Sequence, residues 1–269
     1  MTTHPNCKIN LGLHVTSRRD DGYHELETVF MPVALCDTLT IESSDSFRFS
    51  QSGIVVDCPA EDNICVKAYN AMRRRYPQIG EIHIHLEKNI PFGAGLGGGS
   101  SDAAHTIQML NELFGLNLSQ TALCDIAKTI GADCPFFILN QPCYATGIGD
   151  LLEPLNFQLP LSNLQFILIK PSVFVSTSDA YRGITPHASL IDLRDALKQP
   201  VETWKNTIVN DFETTVFQKY PVIAELKQRL YDTGAMYASM SGSGSALFGI
   251  FKELPTEKLP FEIYRSQYR

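Results

Sequence analysis

The sequence predicts an α+β protein of two domains, and three observations carry that expectation. Its 269 residues exceed what one hydrophobic core usually organises. Residues 7–42 read as successive extended segments, and amphipathic helices occur in the stretch that follows. Residues 154–162, rich in Pro, Asn and Gln, form the natural linker. The expected domains are therefore residues 1–155 and 156–269.

In residues 7–15, Ile9, Leu11, Leu13 and Val15 alternate with Lys8, Asn10, Gly12 and His14. That period of two marks a half-buried strand with a polar face available for a site. Residues 18–22, Arg-Arg-Asp-Asp-Gly, read as a turn, and extended runs follow at 25–34 and 38–42. A helix over 63–76 has Val66, Tyr69, Met72 and Tyr76 on one stripe, which makes Arg73-Arg74-Arg75 a solvated face. In the strand at 81–87, His83 and His85 share the face away from Ile82, Ile84 and Leu86. Their spacing suits a metal pair, but no third ligand adjoins them, and an exposed strand face accounts for both.

A helix following the glycine-rich run has Ala103, Ile107, Leu110 and Phe114 inward and Gly115 as its stop. Ser119 caps the next, with Leu123, Ile126, Ala127 and Ile130 inward. Gly131 ends that helix and leaves Asp133 on a short connection before Pro135. Residues 164–169 form an apolar strand, and a helix starts at Pro221 and stops at Gly234. Strands at 236–240 and 246–251 flank Ser241-Gly-Ser-Gly-Ser245. Residues 252–269 hold two prolines and no helical stripe.

Composition narrows the function classes. A formal charge of −7 with only one compact basic run argues against a nucleic-acid partner. Seven scattered cysteines without a Cys-x-x-Cys pair read as reduced thiols of a cytoplasmic protein and seed no metal site. No signal-peptide core and no membrane-spanning apolar run is found, so no membrane partner is expected.

The glycine-rich run from Gly93 to Ser101 is the most informative segment. Its glycines let backbone amides converge on an anion, and a helix begins where the run ends, so it should bind phosphate. Gly99 is followed by Ser100, not by the Lys of a Walker A loop. Gly93-x-Gly95-x-x-Gly98 matches a dinucleotide fingerprint literally, but the acidic residue about twenty positions on, Glu112, lies inside an amphipathic helix. Protein-kinase signatures are absent. Phosphoryl transfer to an alcohol also needs a group at the hydroxyl and positive charge on the transferring phosphoryl. Asp133 and Lys8 are the candidates: the carboxylate to take or orient the proton, the ammonium to lower its pKa and neutralise phosphate.

The segments 8–14, 18–26, 91–101, 131–137 and 240–245, in this order, resemble the GHMP kinase superfamily. The Lys8-Ile-Asn-Leu and Asp21-Gly-Tyr-His segments are most similar to its branch acting on a cytidine diphosphate-linked methylerythritol in non-mevalonate isoprenoid synthesis. The resemblance implies a ribosomal protein S5 domain 2-like N-terminal domain and a ferredoxin-like C-terminal domain, with substrate in the cleft between them. It implies ATP and Mg²⁺, a small-molecule alcohol as partner, and a monomer or weak homodimer. By the same resemblance Lys8 and Asp133 are the catalytic pair. Pro91, Gly93, Ala94, Gly95, Leu96, Gly97, Gly98, Gly99, Ser100 and Ser101 hold ATP phosphates, and Asn63 and Lys88 lie near adenine. Tyr23 and Tyr181 sandwich the cytosine, Asn10 and His24 help bind the cytidyl half, and Asp133 meets the substrate hydroxyl. Asp102 stands where some relatives have Asn.

Overall fold

The structure, a computed structural model, describes residues 1–55, 58–189 and 191–267; the last two residues of the tail lie outside them. In chain order the first half runs β1 (Thr2–Thr3), β2 (Asn6–Arg18), β3 (His24–Cys36), β4 (Thr38–Ser43), β5 (Arg48–Gly53), α1 (Ile64–Arg75), β6 (Ile82–Lys88), α2 (Gly98–Leu113), α3 (Gln120–Lys128) and α4 (Cys134–Leu139). The second half runs β7 (Cys143–Thr146), β8 (Leu151–Pro154), β9 (Gln165–Ile169), α5 (Thr177–Tyr181), α6 (Leu193–Leu197), α7 (Phe212–Lys219), α8 (Pro221–Asp232), β10 (Tyr237–Met240), β11 (Leu247–Phe251) and β12 (Glu262–Gln267).

The chain forms two compact units, and neither is one continuous stretch. The first comprises residues 1–7, 34–92 and 97–141; the second comprises 8–33, 93–96 and 142–269. A single cut near residue 155 does not reproduce this division. The reason is long-range pairing: β3 pairs antiparallel with β7 (Thr28 opposite Ala145) and β7 with β8. The early strands are thereby drawn into a sheet with strands far along the chain, and no local pattern announces that.

In the first unit a sheet of order β1-β4-β6-β5 has Leu39 opposite Leu86 and Ile41 opposite Ile84. These side chains are buried together with Val66, Tyr69 and Met72 of α1 and Ala103, Ile107 and Leu110 of α2. Each such aliphatic side chain contributes roughly 1.5–3 kcal/mol by leaving water. Helix α1 starts where Asn63 Oδ1 accepts from the Cys65 amide at 2.9 Å, and α3 where Ser119 Oγ accepts from the Ala122 amide at 3.2 Å. His83 and His85 do lie on the solvent side of the sheet, each 2.9 Å from the Ser50 hydroxyl on neighbouring β5.

The second unit holds two sheets, β2-β3-β7-β8 and β10-β11-β9-β12. Leu13, Val15, Ile167, Ile169, Phe212, Ile223, Leu226, Leu230, Met240 and Leu247 share its core. The tail without a helical stripe is a strand: β12 pairs antiparallel with β9, with a register shift between Glu262 and Tyr264. Strand β2 departs from the half-exposed reading. Lys8, Asn10 and His14 are 4%, 2% and 6% exposed, so its polar face is as buried as its apolar one. Alternation tells the two faces apart but not what covers each.

Candidate active site

Residues 93–96 of the glycine-rich run belong to the second unit and residues 97–101 to the first. In the first, Gly97 caps α2 with φ +70°, and its carbonyl accepts the Ser101 amide at 3.0 Å. The first amides of α2, at Gly98, Gly99 and Ser100, therefore face the incoming chain without intrahelical partners, which is the arrangement that binds anions. The Ser101 hydroxyl is fully buried and has no hydrogen-bond partner among the described residues. A Cβ on Gly98 would stand 2.8 Å from Ile90 Cγ2, whereas one on Gly99 would meet nothing closer than 3.8 Å. Close packing thus demands the first glycine and not the second.

Asp133 caps the short helix α4 in the same unit, with Pro135 fixing the helix start. Its connection adjoins the start of α2: a Cβ on Gly131 would sit 3.2 Å from Cys134 Sγ and 4.0 Å from Ser100 Oγ. Burial, eased by the Ser100 hydroxyl, pushes the Cys134 thiol up to about 12, so this cysteine stays protonated and inert. Asp133, half-buried, follows Gly131 by two residues on this connection.

In the second unit the Lys8 ammonium donates to Asn10 Oδ1 at 2.8 Å and to the Gly95 carbonyl at 3.0 Å, and lies 5.0 Å from the Phe30 ring centroid. The Asn10 amide donates to Thr28 Oγ1 at 2.9 Å. Both ends of Asn10 are therefore engaged, and it orients Lys8. The Ser241 hydroxyl donates to the Gly95 carbonyl at 2.8 Å, and the Ala246 amide to the Ala94 carbonyl at 3.1 Å. The Ser-Gly loop thus holds the phosphate-loop backbone. Asn210 secures that loop in turn, donating to the Met240 and Gly242 carbonyls at 2.8 and 2.9 Å.

Gly95 has φ +76°, and a Cβ there would stand 2.0 Å from the Ser241 carbonyl oxygen. Gly95→Ala therefore combines left-handed strain of about 1–2 kcal/mol with a backbone clash. Expected are a melting temperature several degrees lower and a KM for ATP raised about tenfold or more, read by thermal denaturation and steady-state kinetics.

Tyr181 and His24 stack, with ring centroids 4.7 Å apart and planes at 20°, and Phe212 meets Tyr181 edge-on at 4.7 Å. Tyr23 is 61% exposed, and its amide donates to Asp21 Oδ1 at 3.1 Å in the turn after β2. Lys88 is buried in the first unit. It is 3% exposed, and its ammonium bonds Asp37 and, at 2.7 Å, Asp102. Asn63 is likewise buried as the cap of α1.

Sequence reasoning missed Ser241, Asn210 and Asp37 as site-building residues. The Ser-Gly pattern was the available signal for the first. A lone Asp between two strands or an Asn before a helix signals nothing by itself. Phe174 was also missed. It is 60% exposed, yet its ring would lie 2.7 Å from a Cβ on Gly93.

Two family models and several full-length relatives match the chain. The family model for the GHMP kinases N terminal domain matches residues 63–141, and that for the GHMP kinases C terminal domain matches 193–266. The 4-diphosphocytidyl-2-C-methyl-D-erythritol kinase of Parabacteroides distasonis is 51% identical over 95% of this chain and 93% of its own. The protein of the same name from Bacteroides thetaiotaomicron is 50% identical over 97% and 94%. A crystal structure of 4-(cytidine 5'-diphospho)-2C-methyl-D-erythritol kinase superposes with a TM-score of 0.81 at 35% identity, covering 93% of this chain and 90% of that one. The mevalonate kinase of Methanococcus jannaschii, at 12% identity and a TM-score of 0.68 over 93% and 90%, shares the fold. Strand pairing, phosphate loop and full-length likeness agree: the chain belongs to the 4-diphosphocytidyl-2-C-methyl-D-erythritol kinase family of GHMP kinases.

Proposed function

We propose that this kinase transfers the γ-phosphoryl group of ATP to the 2-hydroxyl of 4-diphosphocytidyl-2-C-methyl-D-erythritol, giving the 2-phosphate and ADP. The observation that carries the choice of alcohol is identity of about half the residues over almost the whole chain to relatives of that name. The geometry supports the reaction class. Unpaired amides and a partnerless serine hydroxyl at the start of α2 suit a triphosphate, and Asp133 stands on the connection adjoining Ser100.

Asp133 accepts or orients the hydroxyl proton as the oxygen attacks phosphorus, and the Lys8 ammonium stabilises charge on the transferring group. The leaving ADP stays on the loop amides. Mg²⁺ would arrive as MgATP, carried by the phosphates of the substrate. The cytosine stacks on Tyr181, whose ring Phe212 braces from the side.

Base–aromatic stacking is worth about 1–3 kcal/mol. Tyr181→Ala should therefore raise KM for the cytidyl substrate about five- to hundredfold while KM for ATP moves little. The deciding assay offers the purified chain MgATP with the cytidyl substrate, homoserine or mevalonate and follows ADP. Turnover of homoserine or mevalonate without the cytidyl alcohol would overturn the assignment. No helix among the described residues is long and apolar enough to cross a membrane. A cytoplasmic monomer or weak homodimer completes the proposal.

A further inference from the structure

Between the end of β6 and the start of α2 lies a cluster of three charged side chains. Asp37, on the single residue separating β3 from β4, is fully buried. Its Oδ1 accepts the amides of Asn89 and Ile90 at 2.6 and 2.8 Å, and its Oδ2 accepts from the Lys88 ammonium. That ammonium also donates to Oδ2 of Asp102, one turn into α2. The carboxylate oxygen Asp102 Oδ1 is buried without a hydrogen-bond partner among the described residues. The Lys88 Nζ would stand 3.4 Å from a Cβ on Gly98, and Ile90, fixed by Asp37, packs where that Cβ would be. The cluster thus ties together the end of β6, the entry to the loop and the first turns of α2.

We infer that Asp37, Lys88 and Asp102 are the positioning residues of the phosphate-binding helix, and that Lys88 acts on nucleotide affinity through α2 rather than by touching adenine. The inference rests on the nucleotide-binding part of the reading above and is independent of which alcohol is phosphorylated. Burial makes three ionised groups costly, and the remedy is to neutralise one of them. Burial, and then repulsion from Asp37, raise the Asp102 carboxyl to about 8 although Lys88 opposes this. Burial alone would lower Lys88, but its two carboxylates hold it above the ordinary lysine value. The other titratable group facing Asp102 is the Cys65 thiol of α1, which burial keeps protonated.

The sign of the linkage follows. The folded chain keeps the Asp102 proton up to about 8, whereas an unfolded chain releases it around the ordinary value of 3.8. Stability contributed by that proton is therefore complete below the lower value and falls as pH rises through this window. Asp102→Asn keeps an oxygen to accept from Lys88 and removes the titration.

The test measures ATP and tripolyphosphate affinity by calorimetry, and melting temperature from pH 5 to 8, for the full-length chain and three variants. Lys88→Met should weaken ATP and tripolyphosphate alike, by about tenfold or more. Asp102→Asn should bind ATP within about threefold of the unmodified chain and show a flatter fall of melting temperature with pH, whereas Asp102→Ala should lose affinity about fivefold or more. Loss of ATP but not tripolyphosphate affinity in Lys88→Met would overturn the inference in favour of direct adenine contact. Equal ATP affinity in the Asn and Ala variants, or an identical pH slope in the Asn variant and the unmodified chain, would overturn it too. If Lys88→Met does not fold, the Asp102 pair decides. Binding is read without turnover, so failure here is distinct from failure of the substrate assignment.

Discussion

Asp133→Ala is expected to lower kcat by about 10²–10⁴-fold, the usual contribution of a positioned acid–base group, and to leave ADP affinity within about twofold. The split follows from the construction of the site. In the proposed reading nucleotide phosphates are held by amides at the start of α2, none of which depends on the Asp133 side chain. The carboxylate only becomes important when the hydroxyl proton must leave. Cys134 and Pro135 keep the start of α4 in place after truncation, so the melting temperature should shift by only a few degrees. Single-turnover measurement at saturating ATP separates the chemical step from product release. A variant that retains wild-type kcat would remove Asp133 from the reaction.

Lys8→Met carries the second large effect, a loss in kcat of about 10²–10³-fold, comparable to removing one preorganised donor from a site where charge develops. Methionine keeps the length and the contact with Phe30 while deleting the charge. The Gly95 carbonyl retains the Ser241 hydroxyl as a partner. Asn10 Oδ1 keeps only the longer contact from Ser241 at 3.4 Å, so a stability cost of about 1–3 kcal/mol should accompany the kinetic loss. Lys8→Arg should not restore activity, because a planar guanidinium cannot occupy a space shaped for one ammonium between Asn10 and Gly95. Full activity in Lys8→Met, or rescue by Arg, would contradict this role.

How much of the fold could be read in advance depended on how local its cause is. Starts and stops were legible: Ser119 begins α3 by accepting the Ala122 amide, Gly115 ends α2 with its amide on the Glu112 carbonyl, and Pro221 begins α8 through its fixed φ. The strand at residues 48–53 was not legible, because Arg-Phe-Ser-Gln-Ser-Gly is extended through parallel pairing with β6 and has little apolar alternation of its own. Helix α4 was hidden by its brevity, although Pro135 marks its start.

The site divides the same way. Glycine density announced the phosphate loop, and Asp133 stood out between Gly131 and Pro135. The buried partnership of Lys88 was beyond local pattern, since Asp37 and Asp102 meet it from distant positions. A charged residue looks alike in sequence whether water or two carboxylates surround it.

The interleaving of the units also sets an order of events during synthesis. Every segment of the first unit has left the ribosome soon after residue 141, while β2 and β3 belong to the second unit, whose chain continues to residue 269. Strands β2 and β3 can pair with each other early, but the free edge of β3 must wait in the nascent chain for β7, and an exposed strand edge is a target for chaperones and for aggregation. Gene recombination meets the same constraint: no single crossover exchanges one unit intact, so the two are inherited together.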